Sequence, residues 1–269
     1  MTPPLARYMK LLISAAIAAL APGYAQAAEW SSTEAIYRYG QLVAPGFAGG
    51  NAADTGIVTL QHASGWGFGD VFLFVDALHD NHRDGYNDDD LYGEMYVNFS
   101  AGKLSGTPVG YGPVKDVGLL LGLNAGADAK VRKYLPGVRL SWDAPGFAFL
   151  NSDLTLYIDD NAGIGRGGAP KESDSYMLDI NWSRPFDIGT QSFTFGGHME
   201  YIASRRNEFG TPLHHWVLAQ PQLRWDAGKA WYGTPGQLQL GVAWQYWRNK
   251  LSDGATRENR TQLLAAWHF

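Results

Sequence analysis

The sequence contains no cysteine, which excludes a disulfide framework and any chemistry that depends on a thiol. Long apolar runs are missing after the N-terminal segment, so no later stretch has the roughly 18 apolar residues that a membrane-spanning helix needs. Basic residues are outnumbered, with 21 Lys and Arg against 26 Asp and Glu, and this balance argues against nucleic acid as a partner. Glycine and aromatic residues are abundant instead, with 33 Gly, 10 Trp, 14 Tyr and 12 Phe.

The first 27 residues have the order of parts of a secretory signal peptide rather than of a buried helix. A basic start that ends at Lys10 precedes an apolar run at 11–21, and the small-residue motif Ala-Gln-Ala follows at 25–27. We expect cleavage after this motif, which divides the chain into a signal peptide, 1–27, and one mature domain, 28–269.

One stretch, Asp70–Leu78, shows the pattern of the mature chain most clearly. Every second residue is aliphatic, whereas the residues between them are two phenylalanines flanked by two aspartates. A strand with two such faces fits a soluble sandwich, with the apolar face inside. It fits a membrane barrel equally well, with the aliphatic face towards lipid and the aromatic, acidic face towards a lumen.

The same alternation recurs in about twelve segments of roughly ten residues, the length with which a tilted strand crosses a membrane. Long, charged connections alternate with connections rich in Pro, Gly and aromatic residues, which is the asymmetry expected of outer-membrane barrels. We therefore predict an all-β fold, a transmembrane antiparallel β-barrel of about 12 strands in the outer membrane of a Gram-negative bacterium. The barrel must close, because lipid offers no partner to an open sheet edge. Only the connection 102–114 is longer than this pattern predicts.

Three short motifs are similar to those of a known family. They lie at Gly69–Asp76, at 92–94 (Tyr-Gly-Glu) and at Asp143–Phe147, and they precede a closing aromatic strand. In these motifs the chain, roughly over 30–269, resembles the Tsx/OmpK family of nucleoside-specific outer-membrane channels. The resemblance implies a monomeric twelve-stranded barrel whose activity is the passive, selective passage of nucleosides.

The last strand resembles the C-terminal assembly signal of bacterial outer-membrane barrels, because Phe269 ends a row of apolar residues spaced two apart. We expect the barrel-assembly machinery to recognise this strand. The other expected partners are the lipid bilayer, lipopolysaccharide and a small nucleoside-like substrate, and no cofactor is expected.

A nucleoside has a flat base and a ribose rich in hydroxyl groups, so a lumen that selects it needs rings for stacking and polar groups for hydrogen bonds. Stacking contributes about 1–3 kcal/mol per base. The predicted substrate-binding residues on the inner face are Phe72, Phe74, Asp76, Tyr92, Glu94, Tyr96, Arg139, Tyr157, Asp179 and Arg224. The same face carries Arg38, Asp159, Glu200, Trp216 and Trp247. A second interpretation stays open, in which inward rings fill space and inward charges pair across the wall as struts.

Neither a metal site nor catalysis is predicted. The acidic loop 80–91 has His82 and Leu91 at two positions where a calcium-binding EF-hand needs acidic ligands. No short motif of a serine hydrolase, a zinc protease or a phosphate-binding loop occurs, so we expect the protein not to be an enzyme. Two alternatives to a channel stay open: a plugged barrel that acts as a receptor or adhesin, and a hydrolase that uses Ser183, His198 and Asp179.

Overall fold

The alternating segments form antiparallel strands that pair largely in chain order. The computed structural model describes residues 27–82 and 85–269, so nearly all of the predicted signal peptide lies outside the described residues. The strands are β1 (Trp30–Val43), β2 (Ala52–Trp66), β3 (Gly69–Asp80), β4 (Asp89–Ser100), β5 (Val114–Gly126), β6 (Val131–Trp142), β7 (Phe149–Asp159), β8 (Ser175–Ile188), β9 (Gln191–Ile202), β10 (Arg205–Arg206), β11 (Pro212–Leu213), β12 (Trp216–Ala219), β13 (Gln222–Asp226), β14 (Leu238–Arg248) and β15 (Arg257–His268).

The sheet closes into a barrel because β1 pairs with β15, which brings Tyr37 opposite Ala265. Strands β12 and β13 both pair with β9 on one side and with β14 on the other, so together they occupy one position in the wall. The prediction of about 12 antiparallel strands is therefore confirmed, and the short hairpin β10–β11 lies outside the barrel sheet.

The alternation over 216–225 predicts one continuous strand, but the structure divides it into β12 and β13, which corrects the sequence interpretation. It breaks at Gln220 and Pro221, since proline has no N–H group to donate to a neighbouring strand. Opposite the break, Gly197 has a φ of +141°, and a Cβ atom there would lie 2.3 Å from the Gln220 carbonyl oxygen. Glycine therefore lets the two backbones approach closely where the pairing is interrupted.

The two faces of the strands have the predicted environments. Aliphatic side chains such as Val75 and Leu60, which are 45% and 53% exposed, cover the outside of the barrel. Charged and amide side chains such as Asp76 and Gln245 are buried on the inside. A closed barrel with a continuous apolar outer surface is stable only in a membrane, so the predicted outer-membrane location is confirmed.

The two ends of the barrel differ. We call the end that carries the connections after β1, β3, β5, β7, β9 and β14 the loop end, and the opposite end the turn end. At the turn end, helix α1 (Ala101–Ser105) overlaps the start of the long connection 102–114. The Ser100 side chain caps this helix by accepting a hydrogen bond from the Lys103 N–H. A second short helix, α2 (Ala227–Tyr232), is capped in the same way by Asp226. In neither described range is a helix long and apolar enough to cross a membrane.

Candidate functional site

All ten predicted site residues lie on the inner face of the barrel, but they belong to separate groups. The register shows this for strands β3 and β4, where Phe72 lies opposite Tyr96 and Phe74 lies opposite Glu94. Residues opposite each other on paired antiparallel strands share one face of the sheet.

One group is an aromatic wall formed by Phe72, Phe74, Tyr92 and Tyr96. The ring centroids of Phe72 and Phe74 are 6.1 Å apart, and those of Phe74 and Tyr92 are 6.2 Å apart. All four side chains are only half-buried. The aromatic wall therefore leaves ring surface accessible from the lumen.

Glu94 holds the two tyrosines of the aromatic wall in place. The Tyr92 hydroxyl donates to Oε1 of Glu94 at 2.5 Å, and the Tyr96 hydroxyl donates to Oε2 at 2.9 Å. The Asn124 side-chain amide also donates to Oε1, at 3.0 Å. Hydrogen bonds to an ionised group are the stronger kind, so this arrangement fixes the orientation of both phenol rings.

The glycine at position 122 makes room for one of these rings. A Cβ atom on Gly122 would lie 2.6 Å from a ring carbon of Tyr96 and 3.0 Å from the Leu135 Cβ atom. Glycine at position 122 is therefore a packing requirement of the aromatic wall.

Replacing Gly122 with valine should destabilise the barrel by about 1–3 kcal/mol, the usual cost of overpacking a filled interior. The free energy of unfolding, from urea titration of the barrel in lipid vesicles, measures this cost. Gly165→Val is the matched control, because nothing lies within 4 Å of a Cβ atom added there. Equal losses in the two variants would contradict the proposed role of Gly122.

Across the lumen from the aromatic wall lie Asp179, His198 and Glu200. The His198 ring bonds through Nδ1 to an Asp179 carboxylate oxygen at 3.2 Å and through Nε2 to Oε1 of Gln220 at 2.9 Å. The Trp216 indole N–H donates to Oε1 of Glu200 at 3.1 Å. We call Glu94, Asp179, His198 and Glu200 together the central group.

The central group does not assemble the alternative hydrolase site. Both ring nitrogens of His198 are engaged, one by Asp179 and one by Gln220. Ser183 lies opposite Gly196, whereas the residue opposite His198 is Asn181. In this arrangement the histidine has no hydrogen bond to Ser183, which a serine nucleophile needs for activation.

Three of the predicted site residues form buried ion pairs with charged partners. Arg38 donates to Asp76 at 3.0 Å, and Arg224 donates to Glu34 at 2.8 Å. The Arg139 guanidinium contacts both carboxylate oxygens of Asp153 at 2.8 Å and reaches Asp70 at 3.1 Å. These contacts favour the strut interpretation for Asp76, Arg139 and Arg224, and a substrate-binding role for them stays a prediction.

Nearer the loop end, the lumen is filled by an apolar layer, which we call the apolar plug. Its buried members are Leu135, Tyr157, Met177, Ile202, Trp216 and Leu218, with Trp247 and Leu251 packed against them. The Arg205 guanidinium covers this layer, 4.7 Å from the Trp216 ring centroid and 5.3 Å from that of Tyr157. Tyr157, predicted to line a substrate path, is therefore 5% exposed and packed inside the plug.

A charged cluster lies directly against the apolar plug. Lys133 contacts Asp159 at 2.5 Å and Glu172 at 2.6 Å, and Arg205 contacts Glu172 at 2.6 Å. Burial raises the pKa of the Glu172 carboxyl, but Lys133 and Arg205 outweigh this effect and hold that pKa below its usual value. Because Glu172 belongs to the connection between β7 and β8, the cluster ties this loop into the barrel.

A second set of contacts, made by Lys250, connects other loops to the loop end of the barrel. The buried Lys250 ammonium lies 2.9 Å from the Glu258 carboxylate and donates to the Val43 carbonyl at 2.6 Å. It also lies 5.4 Å from the ring centroid of Tyr86, a residue of the connection between β3 and β4. With both contacts in place, the loop-end half of the lumen is packed with side chains.

The sequence did not identify the residues that connect these loops to the barrel. Glu172, Tyr86 and Lys250 lie in connections, where no alternation indicates which side chains turn inwards. The sequence suggested His198 only as a member of the alternative hydrolase site. The alternation of a strand shows which side chains point inwards but not which of them meet across a lumen.

No protein-family model matches the sequence, and no curated protein is similar to it in sequence. Weak structural likenesses exist to outer-membrane barrels. The KdgM porin is 11% identical, with a TM-score of 0.45, over 88% of this chain and 99% of its own. The NanC porin is 12% identical, with a TM-score of 0.48 and the same coverage. An outer-membrane channel from Pseudomonas putida F1 is 12% identical, with a TM-score of 0.45, over 92% of this chain and 99% of its own.

Likenesses this weak carry no argument about function, and the architecture described above rests on the strand pairing of this chain. The resemblance to the Tsx/OmpK family is not confirmed by these comparisons.

Proposed function

We propose that the barrel is a substrate-selective outer-membrane channel for small polar molecules, with nucleosides as the favoured cargo. The observation that carries this proposal is the aromatic wall. Phe72 and Phe74 are half-buried on the inner face, beside the hydroxyl groups of Tyr92 and Tyr96. An inward phenylalanine that is exposed to channel water is unfavourable unless a flat apolar surface stacks on it.

The opposite wall supplies groups for the ribose and for the edge of the base. The His198 side chain is 34% exposed, and Gln222 and Asn181 are half-buried beside it. Amide and imidazole groups both donate and accept hydrogen bonds. Weak, repeated contacts of this kind select a solute without holding it, which conduction requires.

Passage through the barrel requires the loop end to open. The apolar plug and the ion pairs of Glu172 belong to a closed state. In a conducting state, the plug residues must move apart and these ion pairs must break. Loops and their ion pairs rearrange more readily than the strands of a barrel, because their backbone hydrogen bonds are fewer. The proposed channel is therefore gated at its loop end.

The same plug favours a second candidate function. A barrel whose lumen stays packed would not conduct, and its loops would then act as a surface receptor or adhesin. The two candidates differ in one measurable property, which is conductance.

Single-channel recording of the refolded protein in planar bilayers separates these functions. We expect discrete openings that added adenosine or uridine blocks in a saturable manner, whereas ribose and aliphatic amino acids at equal concentration block weakly because they have no ring that stacks on the aromatic wall. A permanently closed barrel would support the receptor. Openings that every solute leaves unchanged would contradict nucleoside selectivity.

A further inference from the structure

The central group holds three carboxyl groups and one basic side chain, His198. Many other buried carboxylates of the barrel have an arginine or lysine within 4.0 Å, as shown by Glu34, Asp70, Asp76, Asp153, Asp159, Glu172 and Glu258. Within residues 27–82 and 85–269, no arginine or lysine forms such a pair with Glu94, Asp179 or Glu200. Their basic neighbour is His198, and burying uncompensated charge is costly.

Three side chains of this group already converge. One carboxylate oxygen each of Asp179 and Glu200 and one ring nitrogen of His198 all lie within 4.8 Å of one another. Glu200 is only 8% exposed, and its Oε1 accepts from Trp216. Among the described residues no donor bonds to its Oε2, so this oxygen is available to a ligand beside the other two ligand atoms.

The bonding of His198 suits a metal ligand. Its Nε2 bonds to the Gln220 side-chain oxygen at 2.9 Å, an acceptor that holds the proton on Nε2. Nδ1 lies 3.2 Å from an Asp179 carboxylate oxygen, and either a proton on Nδ1 or a metal cation between the two atoms fits this separation. A metal about 2.1 Å from each atom would subtend an angle of about 100°, which falls within common coordination geometries.

We propose that Asp179, His198 and Glu200 bind a divalent first-row metal cation, of which Zn²⁺ is the probe of choice, in the centre of the lumen. Imidazole and carboxylate together are the ligands that such cations take. On binding, the metal replaces any proton on Nδ1, and that proton passes to solvent. Glu94 on the opposite wall adds negative charge near the ion. This inference goes beyond the proposed function and holds whether or not the barrel conducts.

Competitive titration with a chromophoric zinc indicator tests the site in the folded full-length barrel, after treatment with a chelator. We expect one equivalent of Zn²⁺ to bind, with affinity at least tenfold weaker in both Glu200→Gln and His198→Gln. Heat-modifiable mobility on gels confirms that each variant is folded. The matched control is His79→Gln, since His79 is an exposed histidine near the loop-end terminus of β3 that bonds to Asp89 at 2.9 Å; the affinity of this variant should be unchanged.

Co²⁺ provides a second measurement that needs no variant to fold. Bound at this site, it should show visible absorption bands of a complex with a nitrogen ligand, and Zn²⁺ should displace it. Binding that only His79→Gln weakens would place the metal at the loop end and overturn the proposal. The absence of Co²⁺ bands and of Zn²⁺ binding in the wild-type barrel would overturn it as well.

Discussion

Glu172→Gln should open the loop end of the barrel and raise its conductance. The substitution leaves the buried Lys133 with Asp159 as its counter-ion, and it removes the one carboxylate that pairs with the buried Arg205 among the described residues. Removing one partner of a buried ion pair typically costs about 3–5 kcal/mol. A cost of this size, applied to the closed state, should increase the open population more than a hundredfold. Single-channel recordings in planar bilayers measure this as a higher open probability.

The matched control is Glu29→Gln at the turn end. Glu29 pairs with Lys103 at 2.7 Å, but both side chains are well exposed, and such pairs contribute little to stability. This variant should conduct like the wild type. If Glu172→Gln also conducts like the wild type, then the charged cluster does not hold the loop end closed.

The pH dependence of closure follows from the same group. The pKa of Glu172 lies below its ordinary value of 4.5, because Lys133 and Arg205 outweigh the effect of burial. A carboxyl with a lowered pKa stabilises the folded, closed state fully above pH 4.5. This stabilisation is lost as the pH falls through the pKa that the carboxyl has in the folded protein. We therefore expect the titration of Glu172 to leave the open probability unchanged between about pH 5 and 8. Below about pH 4.5, the open probability should rise as Glu172 becomes protonated.

The second large effect should come from Phe72→Ala combined with Phe74→Ala. Each lost ring removes a stacking contact of about 1–3 kcal/mol, so nucleoside affinity should fall by a factor of roughly 5 to 150 for each ring that a base contacts. The concentration of adenosine that half-blocks the single-channel current measures this loss. Conductance without nucleoside should persist, since neither ring forms an ion pair or carries a hydrogen-bonding group.

A control with the same spacing is available on the outer face. Phe193 and Phe195 lie opposite Trp225 and Leu223 on β13, and Phe195 is 40% exposed. Phe193→Ala combined with Phe195→Ala removes two rings from the lipid side, so adenosine block should not change. Unchanged block in the inner-face variant would mean that Phe72 and Phe74 only fill space.

The strand alternation was enough to predict the inner and outer faces of the wall. In Asp70–Leu78, for example, successive side chains point to opposite faces whatever the rest of the chain does. The inward position of all ten candidate residues was predictable in the same way, while their role in substrate binding stays a prediction. Their grouping was not predictable, because the stagger and curvature of a closed barrel decide which side chains meet across the lumen.

The sequence by itself determined a membrane-spanning barrel of about 12 strands, because a period of two residues and the chemistry of each face are local properties. Only the tertiary structure decided that Asp70 pairs with Arg139, 69 residues away, and that Glu172 bridges Lys133 and Arg205. It also decided that the loop-end half of the lumen is packed and that, among the residues the structure describes, Glu94, Asp179 and Glu200 have no arginine or lysine partner. Pairing of charges in a lumen depends on distances between strands that are remote in the chain, and those distances exist only once the barrel has closed.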